Sequence, residues 1–213
     1  MNLAAILEVA NGSGGIIYFM LLMLFVAIFI IIDRYKYLAN TRKIGDAAIA
    51  MCRQQNGLNP KSLRDFQETY SSSPVVKLLE VAIDAERSHL SRQDLDGNLE
   101  EAIMHQVPTL DKGVWMLDTI ITLAPLLGLL GTIVGMFNAM SVMSDFQNAA
   151  TQISGGIAEA LVSTAMGLIV AMIGLYFFNS INTKVRLLVH QMETMKLMVL
   201  NRQHLFKLLD RAA

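Results

Sequence analysis

Glu159 is the one formal charge in a long apolar neighbourhood. Gly155, Gly156, Ile157 and Ala158 precede it, and no charged residue follows it before Lys184. A carboxylate within a membrane span costs about 2.5–3.5 kcal/mol even on a lenient insertion scale. Such a group belongs in a bundle interior or a watery cavity, where it can take up and release a proton. A second reading starts the span a few residues later and leaves Glu159 in the outer headgroup layer. Thr164 follows it by five residues. In the preceding apolar stretch Asp118, Thr119, Thr122, Thr132 and Asn138 supply further polar groups. A threonine hydroxyl both donates and accepts, which suits a water-assisted proton route. Threonines in spans also commonly bond their own backbone; that reading applies most to Thr119, Thr122 and Ser163. Asp118 fits the cytoplasmic mouth of a span.

These residues need elements to hold them. Three stretches carry no formal charge, Val9–Ile32, Thr119–Ser144 and Ala160–Thr183. Each reaches the roughly 20 residues that cross a hydrocarbon core of about 30 Å. All 17 Lys and Arg residues lie in 34–112 and 184–211. Basic residues mark cytoplasmic loops. The expected topology has the N-terminus outside, a large cytoplasmic segment, a hairpin with its tip outside, and a cytoplasmic tail. The expected boundaries are 1–15 (outer-surface amphipathic N-terminus), 16–32 (first span) and 33–117 (cytoplasmic helical segment). They continue with 118–143 (second span), 144–157 (outer loop), 158–181 (third span) and 182–213 (cytoplasmic C-terminal helix).

Composition narrows the function classes. The chain is 54% hydrophobic and 16% charged, against about 25% charged for a soluble domain. Its net charge of −1 offers no basic face for nucleic acid. A single cysteine, Cys52, excludes an internal disulfide and a cysteine metal cluster. No HExxH or similar metal set occurs, so no metal or cofactor is expected. An intramembrane hydrolase needs a nucleophile with a base in reach. All four histidines (His89, His105, His190, His204) fall in cytoplasmic segments, so no enzyme is expected. The 14 methionines suit adaptable packing between helices. Met1–Gly15 lacks a basic region, which argues against a cleaved leader.

The first span, Ile16–Ile32, is aliphatic and aromatic throughout and reads as lipid-facing. Leu3–Ala10 before it reads either as a surface amphipathic helix or as a frayed end. Asn59-Pro60 and Ser73-Pro74 are helix starts, and Ser91 with Asp94 resembles a capping box. Val75, Leu78, Leu79, Ala82 and Ile83 form one apolar face. Val185, Leu188, Met192, Met195, Val199, Phe206 and Leu209 form another, along the tail. Some 70 residues of short helices bury little core alone, so the cytoplasmic segment is expected to build on extended membrane helices.

The two hairpin spans carry small residues in register. Asp118, Pro125, Thr132 and Ala139 recur every seven residues, and Gly131–Gly135 is a GxxxG step. Gly156, Ala160, Ser163, Gly167, Ala171 and Gly174 form a stripe on the third span. Gly131, Gly135, Gly167 and Gly174 are the expected close-packing positions. A hairpin cannot enclose a pore alone, so a ring of copies is the natural construction. A proton relay that does mechanical work also needs a second carboxylate, which a partner helix can supply.

Gly128-Leu-Leu-Gly-Thr-Ile-Val-Gly135 followed by Gly156-Ile-Ala-Glu-Ala-Leu-Val-Ser-Thr-Ala-Met-Gly167 resembles the ExbB/TolQ family of bacterial proton-driven motors, distantly related to MotA. The resemblance implies an all-α integral membrane protein with three transmembrane helices, long cytoplasmic helical extensions and an oligomeric ring. It maps pore threonines onto Thr132 and Thr164 and a pore glutamate onto Glu159; Asp118, placed at the cytoplasmic mouth by its position in the sequence, is counted with the same route. It implies a pentamer around a dimer of a single-span ExbD/TolR-like partner whose aspartate carries the proton. It further implies a TonB/TolA-like protein, membrane lipid and the bacterial inner membrane. A TolQ-like envelope role, a non-conducting scaffold and a MotA-like stator are the alternatives; the last requires a fourth span.

Overall fold

The computed structural model describes residues 15–53, 60–71, 73–87, 91–141 and 149–201. The expected segment Leu3–Ala10, the cap Asn59 and the tail positions Phe206 and Leu209 lie outside those residues. Six helices account for the described elements. They are α1 (Ile16–Arg53), α2 (Pro60–Tyr70), α3 (Pro74–Arg87), α4 (Arg92–Leu110), α5 (Val114–Ser141) and α6 (Ala149–Asn201). Three of them, α1, α5 and α6, are long and apolar enough to cross a membrane. The chain is therefore an all-α protein with three apolar spans and long helical extensions. Each span is part of a longer helix. The charged and aromatic run Asp33–Tyr37, just past the expected end of the first span, does not end α1, and α6 begins at Ala149, ahead of the expected span start at 158.

One compact unit comprises 1–33 and 113–180. Within it α5 and α6 form an antiparallel hairpin. Ala124 and Gly128 lie against Gly167, and Gly131 against Ser163. Further along, Gly135 lies against Ala160 and Gly156, and Ala139 against Gly156. Lipid tails are as apolar as leucine, so the hydrophobic effect gives helices in a membrane little reason to associate. Close van der Waals contact through small residues supplies the attraction instead. The first span is not lipid-facing all round. Ile17, Met20, Met23, Ala27, Ile30 and Ile31 are buried, whereas Phe25 and Phe29 are 70% and 67% exposed. Ile17 and Met20 pack with Ile16, Leu127 and Met166, which places part of α1 against the hairpin. Sequence could not separate these faces, because both are apolar.

The other unit comprises 34–112 and 181–213. Its helix starts follow the local signals: α2 and α3 open on Pro60 and Pro74, and Ser91 caps α4. The Asp94 backbone N–H donates to Ser91 Oγ at 3.2 Å, and the Ser91 hydroxyl donates to Asp94 Oδ2 at 2.6 Å. This departs from a capping box, in which the acidic side chain accepts from the cap backbone instead. After α4, Gly113 takes a φ of +78°, a conformation that favours glycine. The apolar faces behave as expected wherever their side chains are described, which leaves out Ile83. Val75, Leu78, Leu79 and Ala82 are buried on α3, and Val185, Leu188, Met192, Met195 and Val199 on α6. Leu38, Ile44 and Ala48 of α1 and Leu95, Leu99, Ile103 and Leu110 of α4 add to this core.

Polar pins fix the register of this second unit. Lys196, with a side chain only 13% exposed, bridges Asp96 and Glu100 of α4. Burial works against its charge, but hydrogen bonds to Glu100 and Asp96 and their charges outweigh that and raise its pKa above the ordinary lysine value. Gln191 Nε2 donates to Asp46 Oδ1 at 2.8 Å, tying α6 to α1. Gly45 leaves room for that glutamine, since a Cβ there would lie 2.5 Å from Gln191 Oε1. The Lys184 ammonium sits 4.2 Å from the Tyr35 ring centroid.

Candidate functional site: the α5–α6 hairpin

The hairpin seam decides where each polar side chain can point. Gly131, Gly135, Gly167 and Gly174 are all buried and face the opposite helix. A Cβ on Gly167 would stand 2.5 Å from the Ala124 carbonyl oxygen, and one on Gly174 2.7 Å from Ile121 Cγ1. These contacts lie within one chain. The same seam uses Gly128, where a Cβ would meet the Ser163 and Thr164 backbone at 3.1 Å, and Gly156, where one would meet Ala139 Cβ at 2.6 Å. Ser163 is fully buried and turned towards Gly131. Its hydroxyl has no protein partner among the described residues, contrary to the expectation that it bonds its own backbone.

Thr119 and Thr122 follow that backbone-bonded expectation. The Thr119 hydroxyl donates to the Trp115 carbonyl at 2.9 Å. The Thr122 hydroxyl reaches the Thr119 and Asp118 carbonyls at 2.9 and 3.2 Å. The Thr132 hydroxyl donates to the Leu129 carbonyl at 2.6 Å. Thr164 differs from them. Its hydroxyl crosses the seam and donates to the Gly128 carbonyl at 3.1 Å. Sequence reading did not find Gly128 as this acceptor, because a backbone carbonyl has no residue-type signature. The small side at 128 is the available clue: only a glycine brings the α5 backbone this close to Thr164.

Thr132 lies one turn beyond Gly128, on the edge of the seam where Thr164 makes its bond. Both threonines are half-buried. Glu159, also half-buried, is five residues before Thr164, which is about 140° around the helix. Ala160 and Ser163 mark the seam between them, so Glu159 flanks its opposite edge. By helix geometry Thr132 and Thr164 fall on one edge of the seam and Glu159 on the other. Asp118 is exposed near the start of α5. The seven-residue stripe Asp118–Pro125–Thr132–Ala139 also does not stay on one face: Ala139 is buried in the seam. A straight helix drifts by about 20° per heptad, which turns the last member of the stripe inward.

Each of the two threonines spends its hydrogen on a carbonyl and keeps its oxygen lone pairs as acceptors. The edge they share can therefore hold water. Among the described residues, no group of three His, Cys, Asp or Glu side chains is placed to hold a metal.

Known proteins extend this picture. Residues 66–194 match the sequence profile of the MotA/TolQ/ExbB proton channel family. The chain belongs to that family. It is a multi-pass membrane protein by this membership and by its three apolar helices. Among its relatives, a putative biopolymer transport protein ExbB-like 3 from Synechocystis is 49% identical over 84 residues, 38% of this chain and 40% of the relative. A second from the same organism, ExbB-like 1, is 47% identical over 72 residues, 28% of its length. The chain thus spans less than half the length of either. The biopolymer transport protein ExbB of Neisseria meningitidis is 28% identical over 213 residues, covering 92% of this chain and 94% of that one. ExbB-like relatives are the most consistent among these matches.

Proposed function

We propose that this chain is the pore-forming ring subunit of an ExbB-like motor, driven by the proton-motive force in the bacterial inner membrane. It energises outer-membrane transport through a TonB-type system. The observation that carries this reading is the shared edge of Thr132 and Thr164, built inside two apolar spans by a seam of glycines. Thr164 ties the seam to Gly128, whereas the Thr132 hydroxyl bonds only its own helix and adds nothing to the packing of the two helices. In the ring that edge lines a water-filled pore, and the copies form a pentamer. A dimer of a single-span ExbD/TolR-like protein fills the pore and brings the second carboxylate. Asp118 marks the cytoplasmic mouth, and a TonB-like protein receives the motion.

The assembly is tested by native mass spectrometry on complexes purified from detergent-solubilised membranes through a tag on this chain. The expected species is a pentamer carrying a dimer of a small membrane protein. A monomer, or a homo-oligomer with no companion, would overturn the motor reading. Orientation is tested separately by single cysteines at Gln147 and Ser62 in a Cys52-free background. In intact cells a membrane-impermeant maleimide admitted to the periplasm should reach the first and not the second. Equal labelling of both would contradict an outer hairpin tip.

A further inference from the structure

Pro125 stands inside α5, three residues before Gly128. Proline has no backbone N–H, so the carbonyl four residues earlier, that of Ile121, loses its α-helical donor. In membrane helices such a carbonyl is commonly re-satisfied by a nearby Ser or Thr hydroxyl or by water. The two hydroxyls nearest in sequence are already committed: Thr119 to the Trp115 carbonyl, and Thr122 to the Asp118 and Thr119 carbonyls. Facing this level, α6 presents Gly167, Ala171 and Gly174, whose side chains hold no donor. With no side-chain donor among these residues, water is the donor that fits the carbonyl.

The position of this carbonyl gives it a use. Pro125 is one heptad from Asp118 and one from Thr132, so it lies on the edge that carries them. Asp118 and Gly128, where the Thr164 hydroxyl is bonded, are ten residues apart, or about 15 Å along the axis. Hydrogen-bonded waters advance by about 2.8 Å per link. Along that length the exposed Leu126 offers water no acceptor, and Thr122 offers only its oxygen lone pairs. A carbonyl that has lost its helical donor to proline, part-way along, gives a file of waters an acceptor to anchor on.

We infer that the Ile121 main-chain carbonyl, released by Pro125, is a further acceptor in the proton path between Asp118 and the Thr132–Thr164 edge. It orients water and is not itself protonated; the proton passes along the water hydrogen bonds. This rests on the proton-conducting reading above.

The experiment compares the parent, Pro125→Ala and Pro125→Ser, each as the tag-purified assembly with its native companions. Each is reconstituted in liposomes holding a pH-sensitive dye, under a potassium diffusion potential set by valinomycin. Both substitutions restore the N–H, and alanine is the best helix former, so α5 is retained. Pro125→Ala is expected to slow proton uptake about tenfold, the factor set by losing one hydrogen bond of ordinary strength. Pro125→Ser is expected to recover most of the parent rate, because its hydroxyl oxygen replaces the lost acceptor. Parent-like uptake by Pro125→Ala would overturn the inference. So would equal slowing in both variants, which would assign Pro125 to helix bending alone. Conduction by the parent in either case leaves the proton-path reading standing, whereas a parent that passes no protons overturns both.

Discussion

Gly167→Leu is expected to remove the folded protein from the membrane fraction. A Cβ at 167 would sit 2.5 Å from the Ala124 carbonyl oxygen and 3.1 Å from Gly128 Cα. Both obstacles are backbone, so no side chain can swing aside to relieve the clash. Overpacking a well-filled interior typically costs about 1–3 kcal/mol. Here the first methyl already forces α5 and α6 apart, and leucine adds three more carbons to the same gap. Separation also lengthens the 3.1 Å Thr164–Gly128 hydrogen bond, the polar tie across the seam. The damage therefore begins within one chain, and any loss of ring assembly follows from it. Gly167→Ala should give an intermediate loss. Gly155→Ala, where a Cβ would meet nothing within 4 Å, should be neutral. Membrane abundance and thermal unfolding in detergent measure all three. A Gly167→Leu protein with parental abundance and melting temperature would show that the α5–α6 contact is not as close as described.

The contrast between Gly167 and Gly155 also shows how far the sequence could be read. Both are glycines in or beside the third apolar stretch; what separates them is the rotation of one helix against another. Charge placement marked the three spans, because Lys and Arg are costly in hydrocarbon wherever they lie. Pro60, Pro74 and Ser91 marked helix starts, because caps act locally, and the periodic stripe from Val185 to Val199 marked a buried face. Other features depend on tertiary geometry. The two faces of α1 are equally apolar, so no polarity pattern announces that Met20 is buried while Phe25 is exposed. The burial of Ala139 comes from helical drift accumulated over several turns. Lys196 looks like any other basic residue of the tail until Asp96 and Glu100 are found beside it. Within the candidate site, residue types pointed to Thr132, Thr164 and Glu159. Their division between two edges of the seam follows from which face of α6 meets α5, which residue type does not carry.

That division shapes the test of the proton path, because the three variants remove different things. Thr132→Val is the cleanest, since it deletes a hydroxyl whose bond is to its own helix at the Leu129 carbonyl. The hairpin seam loses no contact, and assembly should be normal. Thr164→Val also removes the tie to Gly128, so a modest fall in stability is expected beside any loss of conduction. Interhelical hydrogen bonds in membranes are worth about 0.6 kcal/mol on average, too little to unfold the hairpin. Glu159→Gln keeps size and shape while removing the charge and the proton-binding site. Complementation of a strain lacking this protein, with crosslinking to its companion as the assembly control, measures each. All three should assemble and fail to complement. The threonine double variant should be little worse than either single variant, because one interrupted water file is enough to stop flow. If Glu159→Gln fails while both threonine variants complement, the titratable group works away from the Thr132–Thr164 edge, and the pore must be drawn through the other flank of the seam. Full complementation by all three would leave the hairpin as a packing device and the chain as a non-conducting scaffold.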